Sequence, residues 1–442
     1  MTTSTVPLPP DPVPVRGVRR VYFGYWILCA AFVAQFVSTG MQNYVFGAFF
    51  TPMTDDLGWS RSEMTFSRTL GQFVFAFAGF YIGTYVDRYG GRWLMRVGVL
   101  ILAMALVLCS FVQELWQWWL VNGLILTAGS ALIGNLVVNV TLAKWFVLRR
   151  GRVVGFAAMG VSFAGVLLTP LATVLVDAFG WREAWRLLAV AAVLLILPAS
   201  FLMRRAPEDH GLQPDGLNAA QMAAGQGQAA ADDFASSLTR RQALRTRSFY
   251  LVVFAFGLGG LSIGVMLIQT IPFLTDAGFS RTFASLMITV TSVPSLISKP
   301  VWGYFIDRAD AQRLSVVGFV LTAAALALIV VGARSGAAVV FAGYALLGLG
   351  WGGFIPLQEV VWASYFGRRH LGAVRSAGLP FSLLLGASAP VLASLYFDHV
   401  GNYDGAFLAT AGAALLAVVL ILSARRPTRV NVDDSLPSPS RA

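Results

Sequence analysis

Twelve times along this 442-residue chain an apolar run of about 20 residues or more recurs. The first six lie near 22–46, 62–86, 93–113, 117–146, 153–176 and 185–203; the second six lie near 249–274, 283–306, 313–333, 338–366, 373–397 and 405–424. A helix of about 20 apolar residues crosses the hydrocarbon core of a bilayer. Within lipid, only helices and closed barrels satisfy every backbone N–H and C=O. The predicted fold class is therefore all-α integral membrane, with twelve transmembrane helices in two pseudo-symmetric six-helix bundles. Composition agrees, because 57% of residues are hydrophobic and 12% charged, about half the charged share of a soluble domain.

The two sets of runs repeat one another at an offset of 220 residues. Trp59-Ser60-Arg61 aligns with Phe279-Ser280-Arg281, Gly83-x-x-x-Asp87-Arg88 with Gly303-x-x-x-Asp307-Arg308, and Trp145-Phe146 with Tyr365-Phe366. Pro52 and Pro170 align with Pro272 and Pro390. The expected organisation is a tail over 1–20, a first bundle over 21–203, a linker over 204–248, a second bundle over 249–424 and a tail over 425–442. Five prolines between Pro7 and Pro14 predict a disordered first tail. The first apolar run is too long for the core of a signal peptide and reads as a spanning helix.

A net charge of +11 invites a nucleic-acid partner, but the cations sit in short loops between apolar runs and form no basic domain. With the first residues cytoplasmic, 25 of the 32 fall on the cytoplasmic side and five outside, while Arg68 and Lys299 lie within runs. That asymmetry places both termini in the cytoplasm of a protein that crosses a cell's inner (plasma) membrane many times. Cys29 and Cys109 lie within apolar runs, where a thiol acts as a small hydrophobe. His210, His370 and His399 lie in or beside loops without metal-ligand spacing. No disulfide, metal or cofactor is expected, and no nucleophile and base are arranged as an enzyme would need. A G-x-x-x-x-G-K-[ST] phosphate loop is absent.

A charge within a spanning segment costs about 2.5–3.5 kcal/mol at its centre, so such residues are functional candidates. Lys299 lies eight residues before Asp307 and Glu359 nine before Arg368, roughly 12 and 13.5 Å deep at 1.5 Å per residue. At nearly one depth, they could pair with each other or bind solute in turn. Helical spacing also aligns Gln35, Ser38 and Gln42 in the first run, Asn135 and Asn139 in the fourth, and Ser292 and Ser295 with Lys299 in the eighth. Asn139 is the 220-residue counterpart of Glu359. Hydrogen bonds between packed helices account for such polar residues as readily as solute contact does. Arg68, about one and a half turns inside the second run, reads as reaching the outer interface.

Gly83-Thr84-Tyr85-Val86-Asp87-Arg88-Tyr89-Gly90-Gly91-Arg92 resembles the loop signature of the major facilitator superfamily, with a degenerate echo from Gly303 to Arg313. Phe23-Gly24-Tyr25-Trp26, Gly58-Trp59-Ser60-Arg61-Ser62-Glu63, Lys144-Trp145-Phe146-x-x-Arg149-Arg150-Gly151-Arg152 and Pro207-Glu208-Asp209-x-Gly211-Leu212-x-Pro214-Asp215-Gly216 are similar to the monocarboxylate transporter group and its bacterial oxalate/formate-type relatives. The resemblance implies a gradient-driven carrier of a small organic anion, a monocarboxylate, by alternating access around a site between the halves. With the buried charges and polar stripes above, Lys299, Glu359, Asn139, Asn135, Gln42 and Ser295 are the expected solute-binding residues, and Glu359, taken with the resemblance, is expected to carry a coupled proton. In that group the cation of the eighth helix is arginine followed by proline, with aspartate one turn earlier; this chain has Lys299-Pro300 and Ser295, and lacks the first-helix lysine. Asp87 is expected against the eleventh helix and Asp307 against the fifth, holding the cytoplasmic side shut, with Arg88, Arg92 and Arg308 supplying ion pairs. An exporter of apolar or cationic compounds is the alternative, against which Lys299 argues. A solute sensor is a further one, for which no appended signalling domain is seen. The expected partners are the bilayer and a small molecule with a proton, for which a single chain suffices.

Overall fold

A computed structural model describes residues 22–218, 221, 225 and 227–427. The tail expected over 1–20, and all but the first three residues of that over 425–442, lie outside the described residues. Among the described residues, nine helical stretches are long and apolar enough to cross a bilayer. One of them, Arg150–Leu202, has 53 residues and breaks at Gly180 (φ 79°, ψ 159°) into two rods. Arg281–Ile306 and the pair Leu371–Ala377 and Leu379–Val400 add two more. The rods are α1 (Gly24–Leu57), α2 (Arg61–Tyr89), α3 (Gly91–Cys109), α4 (Leu115–Trp145), α5 (150–179), α6 (181–202), α7 (Arg247–Asp276), α8 (Arg281–Ile306), α9 (Ala311–Ser335), α10 (Ala337–Phe366), α11 (371–400) and α12 (Asp404–Ser423).

The repeated Gly-x-Ser motif is a helix stop followed by a helix start. Gly58 and Gly278 take positive φ (68° and 89°) to end α1 and α7. Ser60 Oγ then accepts from Glu63 N while Glu63 Oε2 accepts from Ser60 N at 2.8 Å, a capping box; Ser280 Oγ accepts from Phe283 N at 3.1 Å to start α8. Among the described residues, the π-helical irregularities lie in the first half. Gly40–Tyr44 of α1 and Trp119–Leu126 of α4 are π-helical, and α4 breaks at Gly134, where the Ser130 carbonyl accepts from Ser38 Oγ at 2.9 Å. Such irregularities free carbonyls within the membrane.

The two halves close on each other at the end where the linker lies, called here the linker face. A Cβ on Gly83 of α2 would stand 2.0 Å from the Gly372 carbonyl of α11, and one on Gly303 of α8 would stand 2.6 Å from the Gly151 carbonyl of α5. The duplicated glycine thus serves two pseudo-equivalent helix crossings. Toward the opposite, far face α2 and α11 diverge: along one side of α2, Gly83 and Gly79 are buried, Ala76 is half-buried and Gln72 is exposed. The far-face pairs Arg182–Asp56 and Arg334–Asp404 each stay within one half. Among the described residues, no hydrogen bond or ion pair joins the halves there. Gly83→Ala is expected to force α2 from α11, costing the closed linker face about 1–3 kcal/mol. Spin labels at positions 89 and 369 should then report a longer distance; an unchanged distance would contradict the crossing.

Candidate functional site

Pro300 follows Lys299 near the linker-face end of α8, and the lysine side chain turns back toward the helix N-terminus, into the centre of the membrane. Its Nζ donates to Ser295 Oγ at 3.0 Å and Ser295 O at 3.3 Å, and reaches across to Ser162 Oγ on α5 at 2.7 Å. The residue is 3% exposed, and its carbonyl packs on Gly155 of α5. Among the described residues no carboxylate forms an ion pair with it. Of the two readings of these charges, the structure does not show the pairing of Lys299 with Glu359: Lys299 and Ser295 come together, but Glu359 has another cation.

That cation is Arg375, one turn inside α11. Its Nη2 lies 3.5 Å from Glu359 Oε1 and donates to Gln358 Oε1 at 2.8 Å, and its guanidinium stacks 5.5 Å from the Trp362 ring centroid. Opposite stands Asn139 of α4, whose Oδ1 accepts from Gln35 Nε2 of α1 at 2.9 Å. The Asn139 amide faces the Glu359 carboxylate, although Asn139 Nδ2 and Glu359 Oε2 form no well-directed hydrogen bond. Asn135 Oδ1, one turn along α4, is buried without a partner. Gln42 is half-buried in the π-helical stretch of α1, and its carbonyl accepts from Arg68 at 2.6 Å. Sequence reasoning had grouped Arg375 with the loop cations; the missed signal was its position two residues inside the eleventh run.

The repeat sets these charges against uncharged counterparts. The 220-residue counterparts of Lys299, Arg375 and Glu359 are Gly79, Gly155 and Asn139. All three charges lie in the second half, facing small or neutral residues of the first.

At the linker face, Asp87 Oδ2 accepts from Ala373 N at 2.7 Å, at the N-terminus of α11, and Asp87 Oδ1 pairs with Lys144 at 2.7 Å. Asp307 accepts from Gly151 N at 2.6 Å and Arg152 N at 3.3 Å, at the N-terminus of α5, and from Arg152 Nε at 2.7 Å. A carboxylate is favoured at both places by the unpaired N–H groups and the helix dipole. The arginines expected to pair there do not. Arg92 donates to the Phe201 and Met203 carbonyls at the end of α6, Arg308 lies over the Tyr304 ring and Arg88 over that of Tyr89. Each is drawn to a local carbonyl or ring, leaving the buried Lys144 and the half-exposed Arg152 as the cations. The linker adds Arg240, which donates to Phe80 O and Thr84 Oγ1 of α2 and to Ala373 O and Ser376 Oγ of α11 at 2.7–3.2 Å.

The chain that folds into these two six-helix halves is matched in sequence by the family model described as Major Facilitator Superfamily, over residues 31–280 and 265–440. The chain belongs to the major facilitator superfamily. Within the superfamily it is similar to monocarboxylate transporter 11 of Mus musculus, 27% identical over 87% of this chain and 84% of the relative. It is 24% identical to the oxalate:formate antiporter of Oxalobacter formigenes over 90% of each chain. A solved structure of the proton:xylose symporter XylE bound to 6-bromo-6-deoxy-D-glucose superposes with a TM-score of 0.75, at 13% identity, over 92% of this chain and 96% of that one. The chain is thus a multi-pass membrane transporter of the superfamily.

Proposed function

We propose that this transporter carries a small organic monocarboxylate across the plasma membrane by alternating access, together with a proton, with its linker face and both termini in the cytoplasm. The observation that carries the reading is Lys299: an ammonium buried between the halves and held, among the described residues, only by neutral oxygens. A buried charge without a counter-ion costs several kcal/mol, and a carboxylate entering beside it removes that cost. The names of the relatives, which include monocarboxylate and oxalate:formate carriers, support the same solute class. Ser295, Asn135, Asn139 and Gln42 line the path as neutral hydrogen-bonding groups.

Glu359 is the coupling group. When ionised it offsets Arg375, and the centre carries a single net positive charge from Lys299, Arg375 and Glu359. A proton on Glu359 frees Arg375 and raises that charge to two, so proton and anion each favour the other's entry. Uptake of labelled mono- and dicarboxylates into proteoliposomes, with and without a pH gradient, tests this. Monocarboxylate accumulation on the alkaline side is expected; uptake of lipophilic cations with none of carboxylates would overturn it.

The two aspartates act as unequal latches for the outward-open state. When the linker face opens, Asp87 keeps Lys144, which lies on its own half, whereas Asp307 loses Arg152, which lies on the other. Asp307→Asn is therefore expected to shift the equilibrium toward the open linker face by about 2 kcal/mol, as for charged hydrogen bonds, and Asp87→Asn by about half that. Label distances across that face check the order; a larger effect at Asp87 would contradict it.

A further inference from the structure

Arg68 of α2 belongs to none of the groups above. Its Nη1 donates to the Gln42 carbonyl at 2.6 Å and its Nη2 to Asn43 Oδ1 at 3.0 Å, and its guanidinium lies 4.7 Å from the Phe46 ring centroid. The π-helical stretch Gly40–Tyr44 supplies that carbonyl. Two neutral acceptors and a ring fix the fork in place, and among the described residues no carboxylate pairs with it. Two acids toward the same end of the molecule are engaged elsewhere: Glu63 in the cap of α2, and Asp56 with Arg182 and Trp181.

Its position gives the charge a direction. Arg68, Gln72, Gly79 and Gly83 share one side of α2 at helical spacing, the side that packs on α11 at the linker face and is uncovered toward the far face. Arg68 stands 19 residues from Asp87 and Lys299 eight from Asp307, so their levels differ by roughly 16 Å at 1.5 Å per residue. A residue meant only to snorkel would not need its fork fixed by α1. We propose that Arg68 is an outer docking site for a carboxylate, in the far-face opening between the halves and separate from Lys299. Its remaining N–H groups receive the anion in the fork geometry suited to a carboxylate, before the solute passes inward.

This deepens the monocarboxylate reading and rests on it for the identity of the solute, so the test has one arm that does not use transport. Gly47, one turn beyond Asn43, is exposed with open space at its Cβ position. In a Gly47→Cys protein with exposed Cys29 replaced by serine, the modification rates by an anionic and a cationic methanethiosulfonate reagent are compared. Arg68→Gln is expected to lower the anionic-to-cationic rate ratio about fivefold at low salt, and less at 0.5 M salt. Arg68→Lys should keep most of it. In the transport arm, Arg68→Gln should raise KM for a labelled monocarboxylate about tenfold from the far face and leave KM from the linker face unchanged. A rate ratio that Arg68→Gln does not move overturns the docking site. If no carboxylate is transported by the unaltered protein, the solute assignment fails while the reagent ratio still decides whether Arg68 gathers anions.

Discussion

Lys299→Ala should abolish carboxylate binding and flux, with a loss of about a hundredfold or more, while Lys299→Arg retains a measurable part. The ammonium is, among the described residues, without a carboxylate partner between α5 and α8, and losing one partner of a desolvated charge pair costs about 2–5 kcal/mol. Arginine restores the charge, but its planar fork must fit where Nζ now reaches Ser162 and Ser295. Stability supplies an independent check. Because no carboxylate pairs with Lys299 among the described residues, Lys299→Met should leave the solute-free protein as stable as before, or more so. Binding by fluorescence titration and thermal unfolding in detergent read both effects. Carboxylate binding at unaltered affinity in Lys299→Ala would remove the anion site from α8.

Glu359→Gln should behave in the opposite way. It leaves the Arg375 guanidinium buried with Gln358 as its remaining side-chain acceptor, a loss of about 3 kcal/mol, as for a broken buried pair. Arg375→Met should cost a similar amount by stranding the carboxylate. The double change should recover most of the loss, with a coupling energy of about 2 kcal/mol. In vesicles, Glu359→Gln should stop a pH gradient from driving accumulation but preserve exchange of solute for solute. Gradient-driven accumulation at the original rate in Glu359→Gln would assign the proton to another group.

The contrast between these residues shows where sequence reasoning works and where it fails. Apolar runs and the 220-residue repeat exposed the two-bundle fold because lipid permits so few alternatives. Ser60 and Ser280 were visible as paired motifs because capping is local chemistry. Asp87 and Asp307 stood out because helix ends favour carboxylates. Partners were not legible, since they depend on which face of a rod meets which neighbour. Arg375 looked like another loop cation, because a shift of a few residues in where α11 begins decides between the loop and the buried interior. Lys299 and Glu359 lie at one depth, yet depth along a helix says nothing of azimuth, and each turned to a different element. The π-helical stretches were not legible either: Gln42 and Asn43 mark Gly40–Tyr44 as polar within an apolar run, but polarity reads as a stripe on a regular helix and does not reveal a change of helical period.

The central claim is that the halves exchange openings around a carboxylate held at Lys299, and distances between spin labels on both faces test it most directly. One label pair joins the loops near 58 and 278 at the far face; a second joins positions 89 and 369 at the linker face. With saturating monocarboxylate at acidic pH, the far-face distance should shorten and the linker-face distance lengthen in the unaltered protein, and neither should respond in Lys299→Ala. Both pairs staying fixed in the unaltered protein while labelled carboxylate still crosses the membrane would contradict the account.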